Sequence, residues 1–138
     1  MGKSRLNQIF IDTGFIIALV SQRDQYHQQA LELADRYENF SFLTTDAVLL
    51  EVGNALVRNY KQQAIEVIEK FLDSDEVEII SLSSELFDRA LTLYKQYQDK
   101  EWGLVDCVSF IVMREKGVNQ ALAFDQHFMQ AGFQLLSV

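Results

Sequence analysis

The sequence predicts an α/β fold with a mainly parallel central sheet covered on both faces, and three observations carry this. Short apolar runs alternate with stretches of helical period along most of the chain. One of these runs, Ile9-Phe10-Ile11, is apolar throughout, as a strand buried on both faces should be. With no proline, six glycines and no low-complexity tract or repeat among 138 residues, nothing resembles a linker, so a single domain over 1–138 is expected.

The elements follow in order. Ile9-Phe10-Ile11 is a buried strand broken at once by Asp12, after which Thr13 is placed to cap a first helix. Asp24 to Tyr37 carries Tyr26, Ala30, Leu31, Leu33 and Ala34 at helical spacing. Phe42 to Thr45 is a strand, and Asp46 is expected to cap a helix over Ala47–Tyr60. A further helix spans Gln62–Asp73, and the β-branched run Val77–Leu82 is a strand. Ser83 or Ser84 caps the next helix, to about Gln98; another runs from Leu104 to Glu115, with Gly117 suited to its C-terminal cap. Ala121–Phe124, Gln126–Ala131 and Gln134–Leu136 complete the pattern as strand, short helix and strand.

Composition bounds the function. Hydrophobic residues make up 49%, enough for an ordinary core. No stretch reaches the roughly 18 apolar residues that cross a bilayer, and Met1–Gln8 is short and polar, with no export signal, so no membrane association is expected. One cysteine, Cys107, excludes an internal disulfide and fits a reducing compartment, the cytoplasm. The net charge of −8 argues against a sticky nucleic-acid binder that works through Lys and Arg.

Four acids stand out from the packing pattern. Asp12 and Asp125 each end an apolar strand, and in a parallel sheet ligands bind at the carboxyl ends of the strands. Each could instead be a helix N-cap. Glu51 has Ala47, Val48, Asn54 and Ala55 one turn away, which places it on or beside an apolar helix face. Asp106 lies among apolar neighbours at a helix start. The bland alternative for these two is a salt bridge to Arg58, Arg89 or Arg114, but no base lies one turn from either acid. Together, Asp12, Glu51, Asp106 and Asp125 are explained by convergence on a divalent cation, since like charges a few Å apart resist ionisation unless something positive sits among them. An all-carboxylate set suits Mg²⁺ or Mn²⁺, and no His/Cys set suited to zinc is present. Setting these four aside leaves 16 of the 20 acids against 12 bases, and a bound cation would make the pocket locally positive. A nuclease that grips phosphate through metal is thus compatible with the acidity.

Four segments, Phe10-Ile11-Asp12-Thr13-Gly14, Thr44 to Glu51, Trp102 to Phe110 and Ala123 to Phe128, resemble the motifs of PIN domains, in order and in strand and helix context, over about residues 9–136. The resemblance implies a PIN-like three-layer α/β/α sandwich. It also implies a Mg²⁺/Mn²⁺-dependent endoribonuclease, with Asp12, Glu51, Asp106 and Asp125 as catalytic metal ligands. The class includes VapC-type toxins, so the toxin of a type II toxin–antitoxin pair is expected, with RNA as substrate, a small antitoxin-like protein with a basic tail as partner, and homodimerisation. The sequence departs from the pattern at Val105 and Ala123, where many members carry hydroxyl residues; Thr13 and Ser109 are candidates to replace part of that hydrogen-bonding shell. These departures support an alternative, a catalytically weak PIN-like module that binds RNA or protein, or a housekeeping RNase. A phosphatase of the haloacid-dehalogenase type fails, because Gly14 stands where its second Asp belongs.

Remaining polar residues receive plainer expectations. His127, two residues beyond Asp125, either assists as a base or contacts phosphate, or is a solvated helix residue, the latter being favoured, and His27 is taken as a surface residue. Cys107, with apolar neighbours and no nearby histidine, is a core thiol. Asn54 either touches metal-bound water or caps a polar edge, and Trp102 either stacks on a base or anchors a helix start, the anchor being favoured.

Overall fold

Four consecutive buried residues, Gln8–Ile11, form β1, the middle strand of a five-stranded sheet. The structure, a computed structural model, describes residues 8–137, so all of the polar N-terminal segment before Gln8 lies outside the described residues. Both sides of β1 are flanked by parallel neighbours, β2 (Ser41–Thr45) and β4 (Gln120–Leu122). Beyond them lie β3 (Val77–Ile80) and β5 (Gln134–Leu135), giving the order β3-β2-β1-β4-β5 with every pairing parallel. The expectation of a mainly parallel sheet is met in full.

The helices follow from the crossovers. From β1 to β2 to β3 the chain moves in one direction, through α1 (Thr13–Val20), α2 (His27–Arg36), α3 (Asp46–Ala55) and α4 (Lys61–Asp73). It then returns over the sheet through α5 (Ser84–Gln96) and α6 (Leu104–Lys116) to β4, and through α7 (His127–Gln130) to β5. Right-handed crossovers put the first set on one face and the second on the other. The packing agrees: α1 meets α2 and α3, and α3 meets α4, while α6 meets α5 and α7. This is the three-layer α/β/α sandwich. No described helix is long and apolar enough to cross a membrane.

Several boundaries differ for local reasons. α2 starts at His27 rather than Asp24 because Asp24 closes a turn, its Oδ1 accepting from the Tyr26 backbone N–H at 2.8 Å. α3 is capped by Thr45, whose Oγ1 accepts from the Val48 N–H at 3.2 Å; Asp46 instead accepts from the Leu82 N–H at 2.9 Å. The expected cap was therefore one residue late. α3 also stops at Ala55, where Leu56 turns into the core and the exposed residues 57–59 lead toward α4. Ser83 caps α5 through the Leu86 N–H, and Gly117 ends α6 with φ 68°, a left-handed conformation that glycine adopts without steric cost.

The core beside the site is aromatic. Phe128 of α7 packs on Phe10 of β1 at 6.0 Å and edge-on to Phe110 of α6 at 5.0 Å. Trp102 is 5% exposed, packs on Phe110, and donates from Nε1 to Gln130 Oε1 at 3.0 Å. It is the helix-start anchor. These rings tie α6, α7 and β1 to one another; Asp106 lies in α6, Asp12 follows β1, and Asp125 stands two residues before α7.

Candidate active site

β1 and β4 are neighbours whose following segments leave toward opposite faces of the sheet, which makes their carboxyl ends a topological switch point. Asp12 follows β1 there, and its backbone N–H donates to Leu122 O of β4 at 3.1 Å. It occupies the N-cap position of α1 but makes no side-chain cap, so capping does not explain it. At 4% exposure it is the one buried carboxylate among the described residues. Burial first, then the charges of Asp125 and Asp106, and more weakly Glu51, push its pKa from 3.8 to about 8 against the pull of the Thr13 N–H.

Asp106 enters from the first turn of α6. Its Oδ2 accepts from the Gly103 N–H at 2.9 Å and meets His127 Nδ1 at 3.0 Å. Two donors on one oxygen leave Oδ1 for a cation. Asp125, after β4, is more open, with its side chain 43% exposed. Its Oδ1 accepts from the His127 N–H at 3.0 Å, a turn-forming bond; the N-cap of α7 is Gln126, so the helix-cap alternative does not explain Asp125. Burial, then Asp106, raises the Asp125 pKa. Ligand atoms of Asp106, Asp125 and His127 lie within 4.8 Å of one another.

Glu51 departs from expectation. It is exposed, because α3 buries Ala47, Val48, Leu49 and Val52 and turns Glu51 and Leu50 outward. Its place is nevertheless fixed: Thr13 Oγ1 donates to Glu51 Oε1 at 2.6 Å, joining α1 to α3. Thr13 thus serves an acid rather than capping its own helix. Ser109 does not; its hydroxyl donates to Val105 O at 3.0 Å within α6. Asn54 is exposed.

His127 is the residue for which the sequence favoured the wrong alternative. Rather than a solvated position, it is half-buried and contacts two acids, with its ring on Asp106 and its backbone N–H on Asp125. The signal was its place two residues after a strand-ending Asp, where an Asx-type turn folds the chain back on the pocket. His27 is also half-buried, with Nδ1 donating to Ala18 O at 2.7 Å. Cys107 is fully buried, and burial followed by the Asp106 charge lifts its thiol to about 11, so it is no nucleophile.

Among the described residues no Lys or Arg pairs with Asp12, Glu51, Asp106 or Asp125. Arg89 pairs with Glu115, and Arg114 donates to Ala131 O, so the salt-bridge alternative is not realised. A buried carboxylate with acidic neighbours and no base is a poor structural element and a good hard-cation ligand. The oxygen-rich donor set fits Mg²⁺ or Mn²⁺.

A parallel α/β sandwich with an acidic pocket at its switch point defines a class of hydrolytic domains, and comparison with known proteins narrows it. The PIN domain family model matches residues 9–134. The 23S rRNA-specific endonuclease VapC20 of Mycobacterium tuberculosis, strains CDC 1551 and H37Rv alike, is 32% identical over 125 residues, 91% of this chain and 95% of the relative. The crystal structure of M. tuberculosis VapC20, described as a sarcin–ricin loop cleaving toxin, superposes with a TM-score of 0.85 at 30% identity, covering 94% of this chain and 99% of that one. The chain belongs to the PIN-domain family and is a nuclease of the RNA-cleaving kind.

Proposed function

We propose that the protein is a Mg²⁺- or Mn²⁺-dependent endoribonuclease, the toxin of a type II toxin–antitoxin pair, with Asp12, Glu51, Asp106 and Asp125 as its cation ligands. The observation that carries this is Asp12, a buried carboxylate set among acids with no basic partner. Held by these residues, a divalent ion would polarise the phosphodiester, activate water and stabilise the leaving oxygen. The chain's own contribution is placement. β1 and β4 fix Asp12 and Asp125, His127 and the Gly103 N–H orient Asp106, and Thr13 orients Glu51.

The likeness to VapC20 makes 23S rRNA and its sarcin–ricin loop the first substrates to try. It also supports the partner: a small antitoxin whose basic tail enters the acidic pocket and whose amphipathic segment lies on an apolar surface. A cleft of about 340 Å³ suited to such a segment is lined by Ile11, Phe15, Leu19, Phe42, Phe71 and Leu122, the first of these adjoining Asp12. A cytoplasmic homodimer of one domain over 1–138 completes the proposal.

One observation favours a second reading, a weak or non-cleaving module. With Val105 and Ala123 in place of hydroxyl residues and Ser109 bonded within its helix, Thr13 is the one hydroxyl among the described residues that bonds one of the four site acids. The test is cleavage of ribosomal RNA with Mn²⁺ and with EDTA, by wild type and by Asp12→Asn and Asp106→Asn. Metal-dependent cleavage that falls 10²-fold or more in both variants, with circular dichroism unchanged, supports the nuclease. Full activity in either variant would remove that residue from the site.

A further inference from the structure

A second groove opens where α5 hands over to α6. It measures about 530 Å³ and is lined by Tyr94, Lys95, Tyr97, Lys100, Trp102 and Gly103. That volume is within the range of small-ligand sites, roughly 300–1,000 Å³, and sufficient for a nucleotide. Gly103 belongs to both places: it lines this groove, and its N–H holds Asp106 Oδ2 at 2.9 Å.

The chemistry of the lining is specific. Tyr94 is 46% exposed and Tyr97 37%, so both rings present surface to the groove. Tyr97 leans on Trp102, with ring centroids 4.9 Å apart, and Trp102 is itself held by Gln130. The Tyr97 ring therefore has a fixed wall behind it. Lys95 and Lys100 line the same groove against one acid, Glu101, in a protein whose net charge is −8. Lys100 also pairs with Asp99 at 3.5 Å, a partly exposed contact that a phosphate can displace. Exposed rings beside lysines form a stacking and phosphate platform for single-stranded nucleic acid.

We propose that this groove binds a nucleotide of the RNA flanking the scissile phosphate, its base on Tyr94 and Tyr97 and its backbone on Lys95 and Lys100. The proposal rests on the nuclease reading and adds a substrate-binding surface to it. The rings tolerate any base, so the groove supplies affinity and strand placement, whereas the choice of site belongs to other contacts.

The test is steady-state cleavage of a hairpin oligoribonucleotide bearing the sarcin–ricin loop, in Mn²⁺, by the full chain. Tyr94→Ala should raise KM on the order of 5–100-fold, the size of one lost base–aromatic stack, with kcat and Mn²⁺ affinity unchanged. Tyr94→Phe should restore the wild-type KM. Lys95→Gln and Lys100→Gln should each raise KM and flatten its salt dependence by about one unit of log–log slope. Unchanged KM and salt slope in these variants, beside an active wild type, would overturn the groove and leave the nuclease standing. So would a Tyr94→Ala protein that handles RNA normally but no longer binds a protein inhibitor. A wild type that cleaves no RNA would overturn both.

Discussion

The ring of His127 lies with Nδ1 3.0 Å from Asp106 Oδ2, while the backbone N–H of the same residue bonds Asp125 Oδ1 at 3.0 Å. One residue thus clips together acids that arrive from α6 and from β4. The carboxylate oxygen accepts here, so Nδ1 is the donor. His127→Ala removes the ring's contacts to Asp106 and, at 3.7 Å, to Asp125 Oδ1, and leaves only the backbone bond to Asp125. Mn²⁺ affinity should fall 10–100-fold, the usual effect of losing a partner that orients a ligand, with the far-ultraviolet circular dichroism unchanged. Isothermal titration with Mn²⁺ checks this, and wild-type affinity in the variant would show the clip to be idle.

Much of this was legible in the sequence. The apolar runs ending at Asp12 and near Asp125 gave two parallel strands with acids at one edge, and the pattern fixed helices on both sides. What failed depended on contacts between elements. Glu51 was read as lying on or beside the apolar helix face, yet α3 sits so that its buried stripe runs along Ala47, Val48 and Val52, and the acid is held from outside by Thr13. His127 looked solvated because its partner Asp106 is 21 residues away. Thr45 and Asp46 both suit an N-cap, and only the position of Leu82 on the neighbouring connection decides between them.

Asp12 predicts how the metal-free protein should respond to pH. Its pKa is about 8 when folded and 3.8 as an ordinary carboxyl. Between those values the folded chain keeps a proton that the unfolded chain has released, so rising pH favours unfolding. The stability is fully present below about pH 4 and is lost as pH rises through about 8; Asp125, also raised, adds the same sign. In EDTA the thermal midpoint of the wild type should therefore fall between pH 5 and pH 8 relative to Asp12→Asn, and the variant should melt higher at pH 8. Saturating Mn²⁺ should stabilise the wild type much more than the variant. Parallel melting curves for the two proteins at every pH would refute the assignment of strain to Asp12.

The 2.6 Å bond from Thr13 Oγ1 makes a separate prediction for Glu51. Thr13→Val keeps the shape and β-branching but removes the donor, and Glu51 is exposed, so the fold should be nearly indifferent. Loss of orientation should lower Mn²⁺-dependent cleavage about 10-fold, while Thr13→Ser keeps most of it. A drop in thermal midpoint with unchanged cleavage would assign Thr13 a purely structural role between α1 and α3.

The proposed partner follows from what the pocket lacks. Asp12, Glu51, Asp106 and Asp125 have no Lys or Arg partner among the described residues, so a guanidinium arriving from another chain meets open acceptors. It would offer a bidentate fork and occupy the same oxygens as the cation. Inhibition by such a tail must then be competitive with metal: raising Mn²⁺ should restore cleavage, and added salt should weaken the inhibitor by screening. Replacing the tail's arginine by lysine should weaken it further, since a point charge loses the fork. In cells, the wild type should arrest growth, Asp106→Asn should not, and a co-expressed small basic protein should relieve the arrest. Inhibition that is indifferent to Mn²⁺ would place the partner away from the carboxylates, and harmless expression of an active, metal-binding wild type would favour a housekeeping RNase over a toxin.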